Sequence, residues 1–167
     1  MPTEQYSTKG IAIIGLGNPL LTDEGLGLQV IRKLKDDTDV PDSVTMIEAG
    51  TPGLSILSIL EGYSRAIVVD IAQLGGKPGT VYVLSIEKQE PKKHPLNIGS
   101  MHEVDFISAL ELGWSAGLTI PTQITVIAVE PKDYRSFGLE LTSEVSEAVP
   151  LVVKEIRRQL ATVLNTK

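Results

Sequence analysis

Ile11-Ala12-Ile13-Ile14 has no polar side chain and runs directly into Gly15-Leu16-Gly17, and this constrains the fold more than anything else in the chain. A run this short, wholly apolar and closed by glycine is expected for a strand buried on both faces, which requires a sheet covered above and below. Residues 44–49 read as a second strand and 65–71 as a third, buried one with Ala66-Ile67-Val68-Val69 at its heart. Between the first two runs, Gly27, Val30, Ile31 and Leu34 recur at helical spacing, with Thr22 or Asp23 as the expected N-cap. Between the second and third, Thr51-Pro52 reads as the N-cap and first-turn proline of a helix through Leu54, Leu57 and Leu60. Strand, helix, strand, helix, strand is a βαβαβ unit, whose crossovers should be right-handed over a parallel sheet.

The next connection breaks the alternation. Ala72-Gln73-Leu74-Gly75-Gly76-Lys77-Pro78-Gly79 is glycine-rich and too short to hold a crossover helix. Residues 80–86 are therefore expected to run antiparallel, at an edge of the sheet. A polar loop over 87–99 carries Lys88, Lys92, Lys93 and His94, and loop solvation accounts for that histidine. Ser100-Met101-His102-Glu103 fits a capping box opening a helix through Phe106, Ile107 and Leu110. Residues 123–129 form the fifth strand. The last helix starts near Thr142 and stripes Val145, Val149, Val152, Ile156, Leu160 and Val163 on one face, with Pro150 expected to kink it. The expectation is a single-domain α/β fold over 10–164. It is a three-layer αβα sandwich around a five-stranded, mostly parallel twisted sheet with one antiparallel edge strand. Residues 1–9 are expected to form a polar tail without the apolar stretch of a signal peptide.

Composition removes several classes of function. With no cysteine, the chain has no disulfide, no thiolate metal ligand and no cysteine nucleophile, as a cytoplasmic protein can. A net charge of -6 disfavours nucleic acid as a partner, since phosphates are repelled overall. No apolar run is long enough to span a bilayer, so no membrane is expected.

In an open α/β sheet, ligands gather beyond the carboxyl ends of the parallel strands. There the sequence sets Asn18, Asp23 and Glu24 after the first strand, Glu48 at the end of the second and Asp70 at the end of the third. His102 falls in the first turn of the capped helix. Three carboxylates and an imidazole converging from separate segments suit a divalent cation of intermediate hardness, such as nickel or zinc. Each also has a plain structural reading: helix dipole for Glu24, turn acceptor for Glu48 and Asp70, exposed first-turn residue for His102. Gly15-Leu16-Gly17 also invites comparison with a dinucleotide fingerprint, but position 20, where the third glycine belongs, is Leu20.

The stretch Gly15-Leu16-Gly17-Asn18-Pro19-Leu20-Leu21-Thr22-Asp23-Glu24-Gly25-Leu26-Gly27 resembles the opening motif of hydrogenase maturation proteases. Glu48-Ala49-Gly50-Thr51, Val68-Val69-Asp70, Ser100-Met101-His102 and Phe137-Gly138-Leu139-Glu140-Leu141-Thr142 follow in the family's order, so the resemblance spans about residues 10–160. It implies an endopeptidase that removes a C-terminal extension from the large-subunit precursor of [NiFe]-hydrogenase after nickel insertion. The family's metal-contacting acid, aspartate and histidine fall on Glu24, Asp70 and His102, and family members often carry Asp where this chain has Glu48. Asp70 and Glu24 are the implied catalytic carboxylates of an aspartyl-type protease.

Two mechanisms remain open on the sequence. A bound ion polarises the scissile carbonyl or activates water. Alternatively, nickel carried by the precursor is a recognition handle, and Asp70 or Glu24 acts as general base. On the second reading nickel comes with the substrate, although the isolated protein could hold another divalent ion. No Ser-His-Asp arrangement and no His-Glu-x-x-His helix is present. Peptidyl-tRNA hydrolases share Gly-Leu-Gly-Asn-Pro, but they require a histidine-asparagine pair soon after it, where this chain has Thr22-Asp23-Glu24-Gly25. A nickel-binding maturation chaperone would need the same ligands without cleavage.

Overall fold

The computed structural model describes residues 9–37, 39–89 and 101–165, with side chains from 106 onward in the last of these segments. Five strands form one sheet: β1 (Lys9–Leu16), β2 (Val44–Gly50), β3 (Tyr63–Ile71), β4 (Val81–Glu87) and β5 (Gln123–Val129). Four helices cover it: α1 (Leu26–Lys35), α2 (Ile56–Leu60), α3 (Met101–Ser115) and α4 (Ser143–Leu164). The spatial order is β2-β1-β3-β5-β4, with every neighbouring pair parallel except β4 against β5. β4 is thus the one antiparallel strand among those described, at an edge, as the short glycine-rich connection requires.

Successive side chains of a strand point to opposite faces, and the apolar core divides accordingly. Ile11, Ile13, Ile67, Val69, Ile127 and Val129 face α1 and α4. Ala12, Ile14, Ala66, Val68, Ile124 and Val126 face α2 and α3. The central strands β1, β3 and β5 are apolar along most of their length because both faces are covered, whereas the edge strands β2 and β4 carry polar residues and are only partly buried. α4 buries Val145, Val149, Val152, Ile156 and Leu160 along its expected stripe, and it continues through Pro150.

Local expectations needed adjustment at three places. β1 begins at Lys9, whose N–H donates to the Gly62 carbonyl at 2.9 Å. The helix after β2 is shorter than its apolar spacing suggests: a 3-10 turn, Gly53–Ser55, precedes the single α-helical turn of α2, and Leu54 is exposed. Neither Thr22 nor Asp23 caps α1. They lie in a separate 3-10 turn, Thr22–Gly25, and α1 starts from Gly25 with no side-chain cap.

The order of the strands locates the site. From β1 the chain passes through α1 to β2 on one side; from β2 it crosses back through α2 to β3 on the other side of β1. The winding therefore reverses between β1 and β3, and their carboxyl ends open the crevice where open α/β sheets bind ligands.

Candidate active site

Asn18 begins the turn that follows β1. Its side-chain oxygen accepts the Leu20 N–H at 2.9 Å and its carbonyl accepts the Leu21 N–H at 3.2 Å. The chain then enters the 3-10 turn bearing Asp23 and Glu24, which are 0% and 6% exposed. Two glycines let this turn and α1 press against the strand ends. At Gly17, with φ +122°, a Cβ would lie 1.8 Å from the Glu24 carbonyl oxygen. At Gly27 it would lie 2.3 Å from the Leu16 oxygen and 2.6 Å from that of Val69. The close approach that Gly17 permits is thus to the backbone of Glu24, where a dinucleotide fingerprint would receive a pyrophosphate.

Asp70, the penultimate residue of β3, is 5% exposed, and its Oδ1 accepts the Ile71 N–H at 2.8 Å. It shares strand parity with Val68 and so belongs to the α2–α3 face. There it lines a cleft of about 180 Å³ together with Gly17, Gly50, Thr51, Ile56 and Phe106. The cleft mixes backbone and apolar walls with one buried carboxylate. An extended peptide could lie along such a surface with its carbonyls close to an acid.

Glu48 does not join this cleft. It shares parity with Met46, which packs on the α1–α4 core, so it projects from the opposite face of the sheet. There it pairs with Arg32 at 3.0 Å and Lys35 at 3.1 Å, both in the last turn of α1. Hydrogen bonding to Arg32, then to Lys35, holds its carboxyl below the ordinary glutamate range. Of the carboxylates expected at strand ends, Asp70 therefore lines the cleft and Glu48 does not, while Glu24 lies buried in the turn after β1. His102 stands in the first turn of α3, four residues before the cleft-lining Phe106, and its side chain lies outside the described residues, as does His94. Among the described residues no group of three His, Cys, Asp or Glu forms a metal cluster.

Two further buried acids cross-link the segments that follow the strands. Asp23 Oδ2 accepts the N–H groups of Lys132 and Asp133, each at 2.9 Å, and Oδ1 accepts the Thr142 N–H at 2.8 Å. The Thr142 hydroxyl adds contacts at 3.0 Å to both oxygens. Asp23 thus ties the turn carrying Glu24 to the segment between β5 and α4. Glu130, 7% exposed just beyond β5, was not anticipated from the sequence. It accepts the N–H groups of Leu74, Gly75 and Gly76 at 2.8, 3.3 and 3.3 Å and the Tyr82 hydroxyl at 3.1 Å. Burial, followed by the nearby Glu130 carboxylate, raises the Tyr82 phenol above its usual value. The clue in the sequence was an acid ending an apolar strand, the same clue that singled out Asp70.

The molecule is therefore a doubly wound α/β domain with buried carboxylates beside the crevice where its winding reverses. The chain belongs to the hydrogenase maturation protease family, whose model matches residues 28–159. It is a hydrolase of peptide bonds, a maturation endopeptidase acting on the hydrogenase large subunit. A hydrogenase expression/formation protein HupD from Rhizobium leguminosarum bv. viciae is 29% identical to it over 90% of this chain and 73% of its own. The [NiFe] hydrogenase maturation protease HybD from Thermococcus kodakarensis is 28% identical, with a TM-score of 0.68 over 90% of this chain and 98% of that one. The hydrogenase maturating endopeptidase HybD from E. coli, at 24% identity, shares the fold: its TM-score is 0.77 over 92% of this chain and 93% of its own. Among the described residues no helix is long and apolar enough to cross a membrane.

Proposed function

We propose that this protein removes the C-terminal extension of a [NiFe]-hydrogenase large-subunit precursor after nickel has been inserted, and does so in the cytoplasm. The observation that carries the proposal is the pair of buried carboxylates, Glu24 in the turn that follows β1 and Asp70 near the end of β3, the two strands that flank the switch point. Unlike Glu48, Asp70 lies on the α2–α3 face of the sheet, away from the basic last turn of α1. With His102, one helical turn ahead of Phe106, they offer two oxygen donors and one nitrogen donor. That set suits nickel brought in by the substrate, and equally another divalent ion in the isolated protein.

Nickel in the precursor serves here as the handle. Glu24, Asp70 and His102 grip it and so set the adjoining peptide along the cleft. The catalytic carboxylates are Asp70 and Glu24, as in an aspartyl-type protease. Asp70 takes a proton from water as the water oxygen bonds to the scissile carbonyl carbon. The C–N bond then breaks and the proton passes to the departing amine, leaving a new carboxyl terminus and a free peptide.

Purified protein mixed with nickel-loaded precursor should produce a faster-migrating large subunit, and nickel-free precursor should stay intact. Capture of the precursor without cleavage would reassign the chain as a nickel-binding chaperone. Equal cleavage of nickel-free precursor would eliminate the handle.

A further inference from the structure

The segment between β5 and α4 presents large apolar side chains to solvent although its backbone is firmly held. Phe137 is 78% exposed and Leu139 67%, and neighbouring Leu20 is 46% exposed. Several of its backbone groups are tied to the turn after β1 and to Asp133. Besides the bonds to Asp23, the Thr22 N–H donates to the Gly138 carbonyl and the Gly138 N–H to the Leu20 carbonyl, both at 2.9 Å. The Thr22 hydroxyl donates to the Ser136 carbonyl at 2.8 Å. Asp133 closes a tight turn by accepting the N–H groups of Arg135 and Ser136 at 3.1 and 2.9 Å. Thr22 is held at φ +46°, costly for a β-branched residue, by these same contacts. The parallel bridge between Leu21 and Gly138 puts Leu20 level with Phe137.

We infer that Leu20, Phe137 and Leu139 form a docking surface for an apolar segment of the large-subunit precursor, next to the cleft that cuts it. A preorganised loop displaying aromatic and aliphatic side chains is how protein interfaces place their anchors. What selects the occupant is continuity. Leu20 lies three residues after the cleft-lining Gly17, across the tight turn begun by Asn18, so a chain seated on this surface is placed to continue into the cleft. The substrate of a maturation endopeptidase is itself a folded protein, able to offer such an apolar patch. The inference rests on the function proposed above and adds to it the surface that recognises substrate apart from the metal.

The test compares Phe137→Ser, Leu139→Ser and the double variant with Leu112→Ser and Leu151→Ser, which make the same chemical change at exposed positions on α3 and α4. Steady-state cleavage of nickel-loaded precursor is measured, with melting temperatures and sedimentation of each protein alone. The loop variants should lower kcat/KM by about tenfold or more, carried by KM, as expected for interface anchors. Their melting temperatures should match wild type, and the α3 and α4 variants should cleave normally. Unchanged kcat/KM in the double variant would overturn the docking surface, as would an equal loss in the α3 and α4 variants. Self-association of wild type, abolished by Phe137→Ser, would assign the surface to a second copy instead. Failure of wild type to cleave any precursor would sink the peptidase reading and the docking surface with it. Cleavage indifferent to Phe137 sinks only the latter.

Discussion

Asp23 and Thr142 are 119 residues apart in sequence and joined through both the backbone N–H and the hydroxyl of Thr142. Thr142 is the N-cap residue of α4, yet its own side chain caps nothing there. Its hydroxyl turns instead to the carboxylate that anchors the site-bearing turn. The longest helix of the described structure and the turn carrying Glu24 are thus fixed to one another by a single fully buried side chain.

Asp23→Ala should accordingly do two things. It leaves the N–H groups of Lys132, Asp133 and Thr142 without their acceptor in a partly buried place. The cost should be about 3 kcal/mol or more of unfolding free energy. The turn then loses its tether, so cleavage should fall further than stability alone explains, even where the protein remains folded. Urea titration gives the first quantity, and cleavage at a temperature well below the transition gives the second. Full activity in a destabilised but folded variant would confine Asp23 to a purely architectural role.

Acid should loosen the same region. Glu144, in the first turn of α4, is lowered from an ordinary value of 4.5 to about 2, first by its hydrogen bond to Lys132, then by its own backbone N–H and the Ser143 hydroxyl. A carboxylate whose pKa is depressed in the folded state contributes stability above its unfolded pKa. That contribution fades as pH falls from about 4.5 toward 2. The melting temperature should decline through this window, and Glu144→Gln should decline less steeply than wild type. Parallel curves for the two proteins would show that the Lys132 pair contributes nothing, as exposed ion pairs often do.

Much of the fold was legible because apolar strands bounded by glycine leave few alternatives. β5 matched its expected bounds, and the antiparallel β4 followed from a connection too short for a helix. Glu48 was a different case. Its position at a strand end was correct, but parity with Met46 rather than Ile47 sends it to the α1 face. The alternation was present in the sequence; which face held the cleft was not, because that depends on where the winding reverses. Asp23 was legible as a local cap or as one of the acids beyond the first strand. Its actual partners lie between 109 and 119 residues away, beyond any reading of local spacing.

Close backbone approach makes a third prediction. A methyl at Gly27 would sit 2.3 Å from the Leu16 carbonyl oxygen and 2.6 Å from that of Val69, which are backbone atoms unable to rotate aside. Gly27→Ala must therefore push α1 away from the ends of β1 and β3, moving the turn that carries Glu24. Gly53→Ala is the contrast: no atom lies within 4 Å of its Cβ position, although its φ of +55° still strains an alanine. The first variant should lose several kcal/mol and nearly all cleavage; the second should lose about 1 kcal/mol. Comparing melts and cleavage rates for the two separates steric exclusion from backbone preference.

The opposite placement of Glu48 and Asp70 yields the last prediction. Both are acids at the carboxyl ends of parallel strands, so a role assigned by strand end alone would treat them alike. Glu48→Gln removes a half-exposed ion pair with Arg32 and Lys35, worth less than about 1 kcal/mol. It leaves the cleft untouched, so cleavage should be close to wild type. Asp70→Asn preserves shape inside the cleft but removes the charge, and with it both the proposed ligand for nickel and the proposed base for water. Cleavage should drop by a factor of about a hundred or more, the range typical of a lost general base. His102→Ala should weaken capture of nickel-loaded precursor, whereas His94→Ala should be nearly silent. All four variants are to be compared by precursor pull-down and by cleavage, with and without nickel. Loss of cleavage in Glu48→Gln with retention in Asp70→Asn would move the site to the other face of the sheet. Loss in His94→Ala with retention in His102→Ala would replace the imidazole assigned to the metal.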